Sequence, residues 1–550
     1  MFTNASNKLK KYTPFLLYTP ILVCVLIMLP RLISPQFGLM DDGRGVVIAN
    51  GMMHGKLDLS FDIRAGRFRP VYWAAFAFWY MLADGHAFWY FLGNLIVFSI
   101  TTLVLIRLVV ELGGSNLQAW ASGLIFALSP PVVENVYTLS KAENLQLCLF
   151  CTAIWMVVIA VKTGRGYRYW LTLVGAFLLL LSACFAKEST LIMIPISLAW
   201  WLLACLGRFR HLTAASFAEK VARWILLISL LSGGIYLLAR SIFFSSKIIG
   251  VGVASSFSFD ISQIFSGLVR WGGWLMRDFI WLLPLTLIVF IWCLAKRRSP
   301  RSGLWLFAAV WMVAWLGLYI PWYFGAEYYL LPFTAGAAVL AGVLLVEIIE
   351  IMRDPGRIWK VIGYFSFGLT FLLFLVTQAN SVTDASVQIA QDAANTSVME
   401  YIAKNAPPGS TVLVNIQLAN EYIEQMEFLL NYDYGRTDLQ FDKYQGQDLS
   451  LLSEQYPAVF VLVADLVNQP KLTVRMGFVE DTLDVWNSIL LPKLETWKEA
   501  FQVSREPAIL TIDFPRLLCP LINRENYCSP DGGLVNLRNL LYKWTVYTNK

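Results

Sequence analysis

Long apolar runs dominate the chain and decide what it can fold into. Of the 550 residues, 57% are hydrophobic and only 15% are charged, and the mean hydropathy is +0.59. Apolar runs of this kind that approach 20 residues can cross a bilayer as helices. We therefore expect a polytopic α-helical membrane protein with about eleven transmembrane helices. The expected spans are 15–32, 88–110, 119–136, 145–161, 169–184, 191–205, 224–239, 274–295, 304–319, 329–348 and 358–376.

Positively charged residues are concentrated in every second connection between these runs. The basic connections lie around residues 8–11, 162–168, 208–223, 296–301 and 353–360. Because cytoplasmic loops are enriched in Lys and Arg, the positive-inside rule places these connections on the cytoplasmic side. The intervening connections, and everything after residue 377, are then expected to face the exterior, the periplasm or the lumen.

A change of composition past residue 377 predicts a second domain. We divide the chain into a transmembrane module, 1–377, with a first outward loop at about 34–87, and an extracytoplasmic α/β domain, 378–550. The aromatic segment 71–82 of that loop is expected to lie in the membrane interface. In the second domain, β-prone runs at 411–416, 458–463, 508–513 and 544–548 alternate with helical stretches at 384–403, 421–430 and 485–500.

Charge and cysteine usage exclude several classes of function. The formal net charge of +6 is small for this length, and no stripe of Lys and Arg lies outside the membrane-flanking loops, so nucleic acid is not an expected partner. Six of the eight cysteines lie inside expected spans. The other two, Cys519 and Cys528, predict a disulfide, since the outward compartment is oxidising. With three histidines and no zinc-type spacing, no protein-built metal site is predicted.

Two adjacent carboxylates, Asp41 and Asp42, follow the first apolar run in a segment rich in turn-forming residues. Neighbouring carboxylates repel each other, so one of them can have a raised pKa and can take part in proton transfer. The alternative that the dipeptide leaves open is a helix N-cap or a solvated turn.

Charged and aromatic side chains also lie at the outward ends of several other spans. Each of them alone is explained by a snorkelling side chain or a structural ion pair. Their convergence on one face, opposite Asp41 and Asp42, favours a bound anion, and phosphate is the obvious candidate for Lys and Arg. The candidate residues are Arg69, Glu134, Lys141, Glu143, Lys187, Glu188, Arg240, Glu327 and Tyr328.

In their order, these motifs resemble those of the GT-C glycosyltransferases that use polyprenyl-phosphate sugars. The chain is most similar to the tetratricopeptide-repeat protein O-mannosyltransferases, and more loosely to the lipid A aminoarabinose transferases. The likeness covers roughly residues 10–340 and is carried by 37–48, 68–70, 129–136 with 140–145, 187–188 and 327–332. Three positions depart from the family pattern: its His is Ser129, one Arg is Lys141, and the Arg after Glu327 is Tyr328. No repeat array follows.

The resemblance implies a GT-C-like fold and transfer of a sugar, with inversion, from a polyprenyl-phosphate donor to an acceptor hydroxyl on the outer face. Asp41 or Asp42 would be the general base. The cations Arg69, Lys141, Lys187 and Arg240 would bind the phosphate, and Glu134, Glu143, Glu188, Glu327 and Tyr328 would complete the site. No cofactor is required; some relatives use a divalent metal, which nothing here indicates.

The same resemblance implies the partners and the location. The partners would be the lipid-linked donor, membrane lipids, and an acceptor that is a glycan, a lipid or a protein. Because the repeat array is missing, we expect a bacterial inner-membrane protein whose active site and C-terminal domain face the periplasm.

A transporter or flippase of a lipid-linked or anionic substrate is the main alternative. Transporters place ionisable residues near the bilayer midplane and contain repeated, broken helices. Here the charges gather at span ends on one side and the sequence contains no internal repeat, which favours an enzyme. A third alternative is a non-catalytic scaffold, in which Asp41 and Asp42 would be dispensable.

Overall fold

The computed structural model describes residues 16–38, 42–56, 67–83, 86–208, 215–243, 257–298, 300, 303–322, 327–415, 419–466, 488–505 and 542–550. Three predictions fall outside these residues: the role of Asp41, the Cys519–Cys528 disulfide and the strand at 508–513. They stay predictions.

Fifteen helices precede the sheet in the described part of the chain. The first seven are α1 Thr19–Ile33, α2 Asp42–Met53, α3 Pro70–Ala83, α4 Ala87–Glu111, α5 Asn116–Leu128, α6 Pro130–Val136 and α7 Ala142–Thr163. The next eight are α8 Tyr167–Ala186, α9 Met193–Cys205, α10 Ala215–Phe243, α11 Ile261–Phe279, α12 Leu282–Ala295, α13 Leu304–Tyr319, α14 Leu331–Met352 and α15 Arg357–Asn405. Short 3-10 helices at Glu188–Ile192 and Glu327–Leu330 lead directly into α9 and α14.

Seven helices of the described chain are long and apolar enough to cross a membrane, or eight if one bent pair is a single span. Their outer faces carry large apolar side chains in the open: Phe365 on α15 is 70% exposed and Leu178 on α8 is 53% exposed. Surfaces of this kind are stable against lipid, so the chain is an integral membrane protein. The predicted number of about eleven spans is not confirmed.

Two of the predicted spans are broken. The span 119–136 is interrupted at Ser129, which is extended (ψ 137°) because it precedes two prolines that cannot continue the hydrogen bonding of α5. The span 274–295 bends by 90° between α11 and α12. At this bend the indole Nε1 of Trp281 donates to the carbonyl oxygen of Asp278 at 2.9 Å, which stabilises the turn.

The C-terminal part is a five-stranded mixed sheet with the order β2-β1-β3-β5-β4. Strand β1 is parallel to β2 and β3, whereas β5 is antiparallel to β3 and β4. Helices α16 and α17 and a 3-10 helix complete the domain. The bounds are β1 Thr411–Asn415, α16 Ala419–Asp433, β2 Gln440–Lys443, α17 Leu449–Gln455, β3 Val459–Leu466, the 3-10 helix Leu491–Leu494, β4 Lys498–Val503 and β5 Tyr542–Thr548.

Alternation along β3 places the sheet between two apolar layers. Val459, Val461 and Val463 pack with Leu490 and Leu494 on one face. The intervening residues of β3 face the other way and join the core of the helical bundle. The predicted strands 411–416, 458–463 and 544–548 correspond to β1, β3 and β5, with residue 416 outside the described residues. The predicted helix 485–500 is confirmed in part: residues 488–494 are helical, whereas its C-terminal end forms β4 and residues 485–487 are outside the described residues.

Helix α15 joins the bundle to the sheet without interruption. It has 49 residues and is therefore about 73 Å long, more than twice the thickness of a hydrocarbon core. The predicted domain boundary at 377/378 lies inside this helix. Near its C-terminal end, Tyr401 stacks on Phe501 at 4.6 Å and Asn395 Oδ1 accepts a 2.7 Å hydrogen bond from Trp544 Nε1. The sheet is thus fixed to a helix that begins in the bundle.

Candidate active site

Asp42, the first residue of α2, is 1% exposed and is held by backbone groups. Its Oδ2 accepts from the amide of Gly38 at 2.9 Å, and its Oδ1 accepts from the amides of Leu139 and Ser140 at 3.2 and 2.9 Å. All three donors lie outside α2, so this carboxylate connects the first loop with the turn before α7. A side chain at position 38 would begin 3.1 Å from Oδ2, which explains the glycine there.

Burial raises the pKa of Asp42 to about 7, and the nearby charge of Asp392 adds to this effect. The hydrogen bond from Gly38 and the positive charges of Arg31 and Lys141 act in the opposite direction. A carboxyl group with a near-neutral pKa is half ionised at physiological pH. It can therefore accept a proton from a hydroxyl and release it again.

Asp392 of α15 lies on the same side of Gly38 as Asp42. A Cβ atom on Gly38 would be 3.1 Å from Asp42 Oδ2 and 3.3 Å from Asp392 Oδ1. Asp392 forms an ion pair with Arg31 of α1, and both side chains are buried. Gln388 Nε2 donates to the two oxygens of Asp392 at 3.1 and 3.0 Å. Neither Arg31 nor Asp392 is among the site residues predicted from the sequence.

Two lysines flank the neighbouring tyrosines Tyr328 and Tyr329, whose rings are tilted by 37° to each other. The Nζ of Lys141 lies 4.0 Å from the ring centroid of Tyr328, and the Nζ of Lys187 lies 4.9 Å from that of Tyr329. The two ring centroids are 4.1 Å apart. Asn135 Nδ2 donates to the carbonyl oxygen of Tyr328 at 2.9 Å and so fixes this segment. Lys141 and Lys187 therefore face a common wall of aromatic rings.

Lys187 also pairs with Glu143, the second residue of α7, at 2.5 Å. Burial by itself lowers the pKa of Lys187, but the negative charge of Glu143 and the neighbouring Tyr329 more than compensate and raise it. Lys187 thus keeps its positive charge although the residue is only 9% exposed.

Two predicted arginines lie near the same end of α8. Arg69, 8% exposed, lies over the rings of Tyr72 and Trp73 at 5.0 and 5.4 Å. The positive charge of Arg69 acts on both Lys187 and Glu188. Arg240 of α10 and Glu188 both act on Tyr236, as Arg69 does. Residues from three separate segments therefore meet at this point.

Glu327 and Glu134 belong to a different cluster. Arg277 of α11 forms an ion pair with Glu327 and another, of 2.5 Å, with Asp384 of α15; Asp278 lies 3.8 Å from the same guanidinium. Glu134 is in electrostatic contact with Asp278 and Glu327. Glu327 is predicted from the sequence to lie in one site with Arg69, Lys141 and Lys187, but its ion pair is with Arg277.

The structure thus brings most of the predicted site residues to one end of the bundle. One group lies around Tyr328 and Tyr329. Glu134 and Glu327 lie in the neighbouring cluster around Arg277. No group of three or more His, Cys, Asp or Glu side chains in the described ranges could hold a metal ion. The first group consists of Asp42, Arg69, Lys141, Glu143, Lys187, Glu188, Arg240 and Tyr328.

An apolar groove of about 700 Å³ lies between α9 and α13. Its walls come from the start of α9, from Phe257 and Phe259, and from α13. Phe257 stacks on Trp322 at 5.9 Å, and Trp322 lies 4.7 Å from Tyr329. The rings of Trp322 and Tyr329 therefore lie between Phe257 in the wall of the groove and Lys187. The lining residues are Ile192, Pro195, Ala199, Phe257, Phe259, Ala309, Val310, Val313, Ala314, Gly317, Leu318 and Pro321.

Comparison with known proteins gives similarity to solved structures only. No protein-family model matches the chain, and no curated protein matches it. ArnT from Cupriavidus metallidurans, bound to undecaprenyl phosphate, is 13% identical with a TM-score of 0.49, and the match covers 90% of this chain and 98% of that chain. The apo oligosaccharyltransferase from Archaeoglobus fulgidus is 11% identical with a TM-score of 0.49, over 91% of this chain and 75% of that chain.

A third similar structure is AglB from Archaeoglobus fulgidus, an archaeal oligosaccharyltransferase in complex with an inhibitory peptide and a dolichol-phosphate. It is 12% identical with a TM-score of 0.48, and the match covers 92% of this chain and 75% of that chain. At these identities, residue roles in this chain have to be judged from the geometry of its own site.

Proposed function

We propose that this chain is an integral membrane glycosyltransferase that moves a sugar from a polyprenyl-phosphate donor to an acceptor hydroxyl. One observation carries the proposal: a buried carboxylate with a near-neutral pKa, Asp42, lies in a cluster with several cations, and an apolar groove lies two aromatic rings away from one of them, Lys187. Proton transfer, phosphate binding and lipid binding require these three features in one place.

In this proposal Asp42 is the general base. The acceptor oxygen attacks the anomeric carbon and forms the new glycosidic bond, while its proton passes to Asp42. The bond from the anomeric carbon to the phosphate oxygen breaks, and its electron pair stays on the phosphate. Attack from the face opposite the phosphate inverts the anomeric configuration.

The cations would bind the phosphate and stabilise the charge that develops on it. Lys187 stays protonated because Glu143 lies beside it, and Lys141 is held against Tyr328. Arg69 adds a planar guanidinium that can donate two parallel hydrogen bonds to phosphate oxygens. Preorganised donors of this kind lower the barrier because they need not reorient during the reaction. A monophosphate donor needs no metal in such a site.

The groove gives the donor its second attachment point. Its lining residues are apolar, and Trp322 and Tyr329 lie between its wall at Phe257 and Lys187. We assign it to the first isoprene units of the carrier, with the phosphate at the Lys187 end. From the distribution of Lys and Arg we place this end, and the sheet, on the periplasmic side of a bacterial inner membrane. Nucleotide sugars are absent there, so a lipid-linked donor is required.

The test is transfer by the purified protein in lipid nanodiscs, with undecaprenyl-phosphate pentoses and hexoses as donors and native membranes as the source of acceptor. Asp42→Asn is expected to lower transfer by about 10²- to 10⁴-fold, the usual contribution of a general base. Asp354→Asn, an equal charge change beside Lys296 in the loop before α15, serves as the control and should transfer normally. Full activity in a folded Asp42→Asn protein would refute the role of Asp42.

The same preparation separates the enzyme from the transporter. A flippase in sealed vesicles moves the labelled lipid across the bilayer without breaking its glycosidic bond. We expect the opposite result: release of unsugared undecaprenyl phosphate, at a rate that depends on Asp42. Lipid movement without bond cleavage, unaffected by Asp42→Asn, would favour the transporter.

A further inference from the structure

The second buried carboxylate near the base, Asp392, has no part in the proposed chemistry. It is 1% exposed and comes from α15, whereas Asp42 comes from α2. Both carboxylates lie against Gly38, where a Cβ atom would contact each of them. Two negative charges this close in a buried place repel each other, so the surroundings decide which carboxylate carries a proton.

The two carboxylates have very different partners. Asp392 has a full ion pair with Arg31 and two hydrogen bonds from Gln388, all of which stabilise its charged form. Asp42 accepts only backbone N–H donors among the hydrogen bonds that the described structure gives it, and the charges of Arg31 and Lys141 reach it from farther away. Asp392 therefore remains the fixed negative charge, and Asp42 is the carboxylate that takes up the proton.

We propose that Asp392 is a positioning residue for Asp42: its charge, fixed by Arg31 and Gln388, determines how strongly Asp42 attracts the proton of the acceptor. This inference rests on the proposed role of Asp42 as the base. Asp392 touches neither donor nor acceptor in it. The competing explanation is purely structural, namely that the Arg31–Asp392 pair only ties α1 to α15.

The two explanations differ in the pH profile. Among the described residues, the charged groups that act on Asp42 are Asp392 from α15, Arg31 from α1 and Lys141 from the turn before α7. Removing the charge of Asp392 leaves two positive charges, and both stabilise ionised Asp42. The acidic limb of kcat/KM then moves to lower pH by about one unit, because a neighbouring like charge is lost. A purely structural role changes stability or kcat but does not move this limb.

The experiment is the pH profile of sugar transfer for Asp392→Asn, Asp392→Glu and the charge-matched control Asp354→Asn. We expect a downward shift in Asp392→Asn, recovery of the wild-type profile in Asp392→Glu, and no shift in Asp354→Asn. An unmoved acidic limb in a folded Asp392→Asn protein overturns the proposal.

A second variant covers the case in which Asp392→Asn does not fold. Arg31→Met with Asp392→Leu replaces the buried ion pair by apolar side chains, an exchange that often preserves stability. Asp392 acts on Asp42 more strongly than Arg31 does, so the limb should still move down, by a smaller amount. A folded double variant with the wild-type profile overturns the proposal as well.

Infrared titration of Asp42 keeps this inference separate from the proposed function. The carbonyl band of the protonated carboxyl group is assigned to Asp42 by its absence in Asp42→Asn, and its midpoint is compared with and without Asp392. A midpoint that moves down in Asp392→Asn supports the coupling even if no sugar transfer is found. A protein that transfers sugar while the midpoint stays fixed retains the function and loses the inference.

Discussion

Two clusters of buried charges lie on either side of the short helix Glu327–Leu330, and their cations differ in the partners that surround them. Around Arg277, one guanidinium faces Glu327, Asp384 and Asp278. On the other side, Lys141 and Lys187 lie over the rings of Tyr328 and Tyr329, and Arg69 lies over two further rings. Carboxylates neutralise a cation, whereas an aromatic face attracts it and leaves its charge in place. Lys187 has both kinds of partner, since it also pairs with Glu143.

This difference separates a structural cluster from a binding site. The Arg277 cluster connects α11, the turn before α14 and α15, and its cation is already surrounded by negative groups. The cations on the tyrosine side come from the ends of several segments and can accept a further anion. We therefore expect changes in the first cluster to affect folding, and changes in the second to affect the handling of the donor.

Arg277→Met is expected to have the largest effect, a loss of about 3–5 kcal/mol in the free energy of unfolding. The variant leaves Glu327 and Asp384 buried without their common cation. Thermal unfolding in nanodiscs measures the loss. The control is Arg298→Met: this arginine pairs with Glu347 at 2.7 Å but its side chain is 27% exposed, so a smaller loss is expected. Equal melting temperatures for wild type and Arg277→Met would remove the structural role.

The exchange of Lys187 tests the other side of the comparison. Lys187→Met is combined with Glu143→Gln, so that no buried carboxylate loses its partner. Hydrogen bonds to charged groups contribute about 1.5–3 kcal/mol, so kcat/KM for the donor should fall by roughly 10- to 100-fold. The melting temperature should change little. A double variant that unfolds as readily as Arg277→Met would show that the two clusters are alike in being structural.

The tyrosine-side cluster could be predicted from the sequence for a simple reason. Asp42, Lys141 and Lys187 each lie at or near the end of a long apolar run, and an alternating bundle brings every second end to the same side. The order of the motifs along the chain therefore translated into proximity in space, although no partner of any single residue was known.

The partners of Arg277 and Arg31 could not be predicted in this way. Arg277 binds a carboxylate 107 residues away, and Arg31 binds one 361 residues away. In the sequence, Arg31 looks like a snorkelling residue at a span end, and Asp384 and Asp392 look like the polar face of a separate amphipathic helix. These carboxylates reach the site because α15 continues through the expected domain boundary.

The bend between α11 and α12 was missed for a different reason. Residues 279–282 contain neither proline nor glycine, so the local sign of a break in the run 274–295 is Pro284, the third residue of α12. Two hydrogen bonds add to this signal: Asn380 of α15 donates to the carbonyl oxygen of Arg277 at 2.9 Å, and Trp281 donates to that of Asp278 within the turn itself. Such contacts satisfy backbone groups that a continuous helix would satisfy internally.

Asp42 links the two kinds of behaviour, because its burial affects stability and its charge affects activity. Its folded pKa of about 7 lies above the unfolded value of 3.8, so the folded state binds the proton more tightly. Stability should therefore be highest below about pH 4 with respect to this group and fall as the pH rises through 7. By linkage the loss is about 1–3 kcal/mol between pH 5 and 8.

Asp42→Asn should remove this dependence on pH. Melting curves between pH 5 and 8 provide the measurement, with Asp354→Asn as the charge-matched control, which should keep the wild-type slope. Parallel curves for wild type and Asp42→Asn would mean that the carboxylate is ionised across the whole range. Its role as a base poised near neutral pH would then be wrong.

Tyr328→Leu is the mildest test of the comparison. The variant removes the ring under Lys141 but no charge, and cation–π contacts contribute about 0.5–1 kcal/mol, so the donor KM should rise roughly two- to fivefold. Tyr328→Phe keeps the ring and should bind the donor as the wild type does, which separates the ring from the hydroxyl. If Tyr328→Leu lowers the melting temperature and leaves the donor KM unchanged, the aromatic wall is a packing element, and the tyrosine side resembles the Arg277 cluster after all.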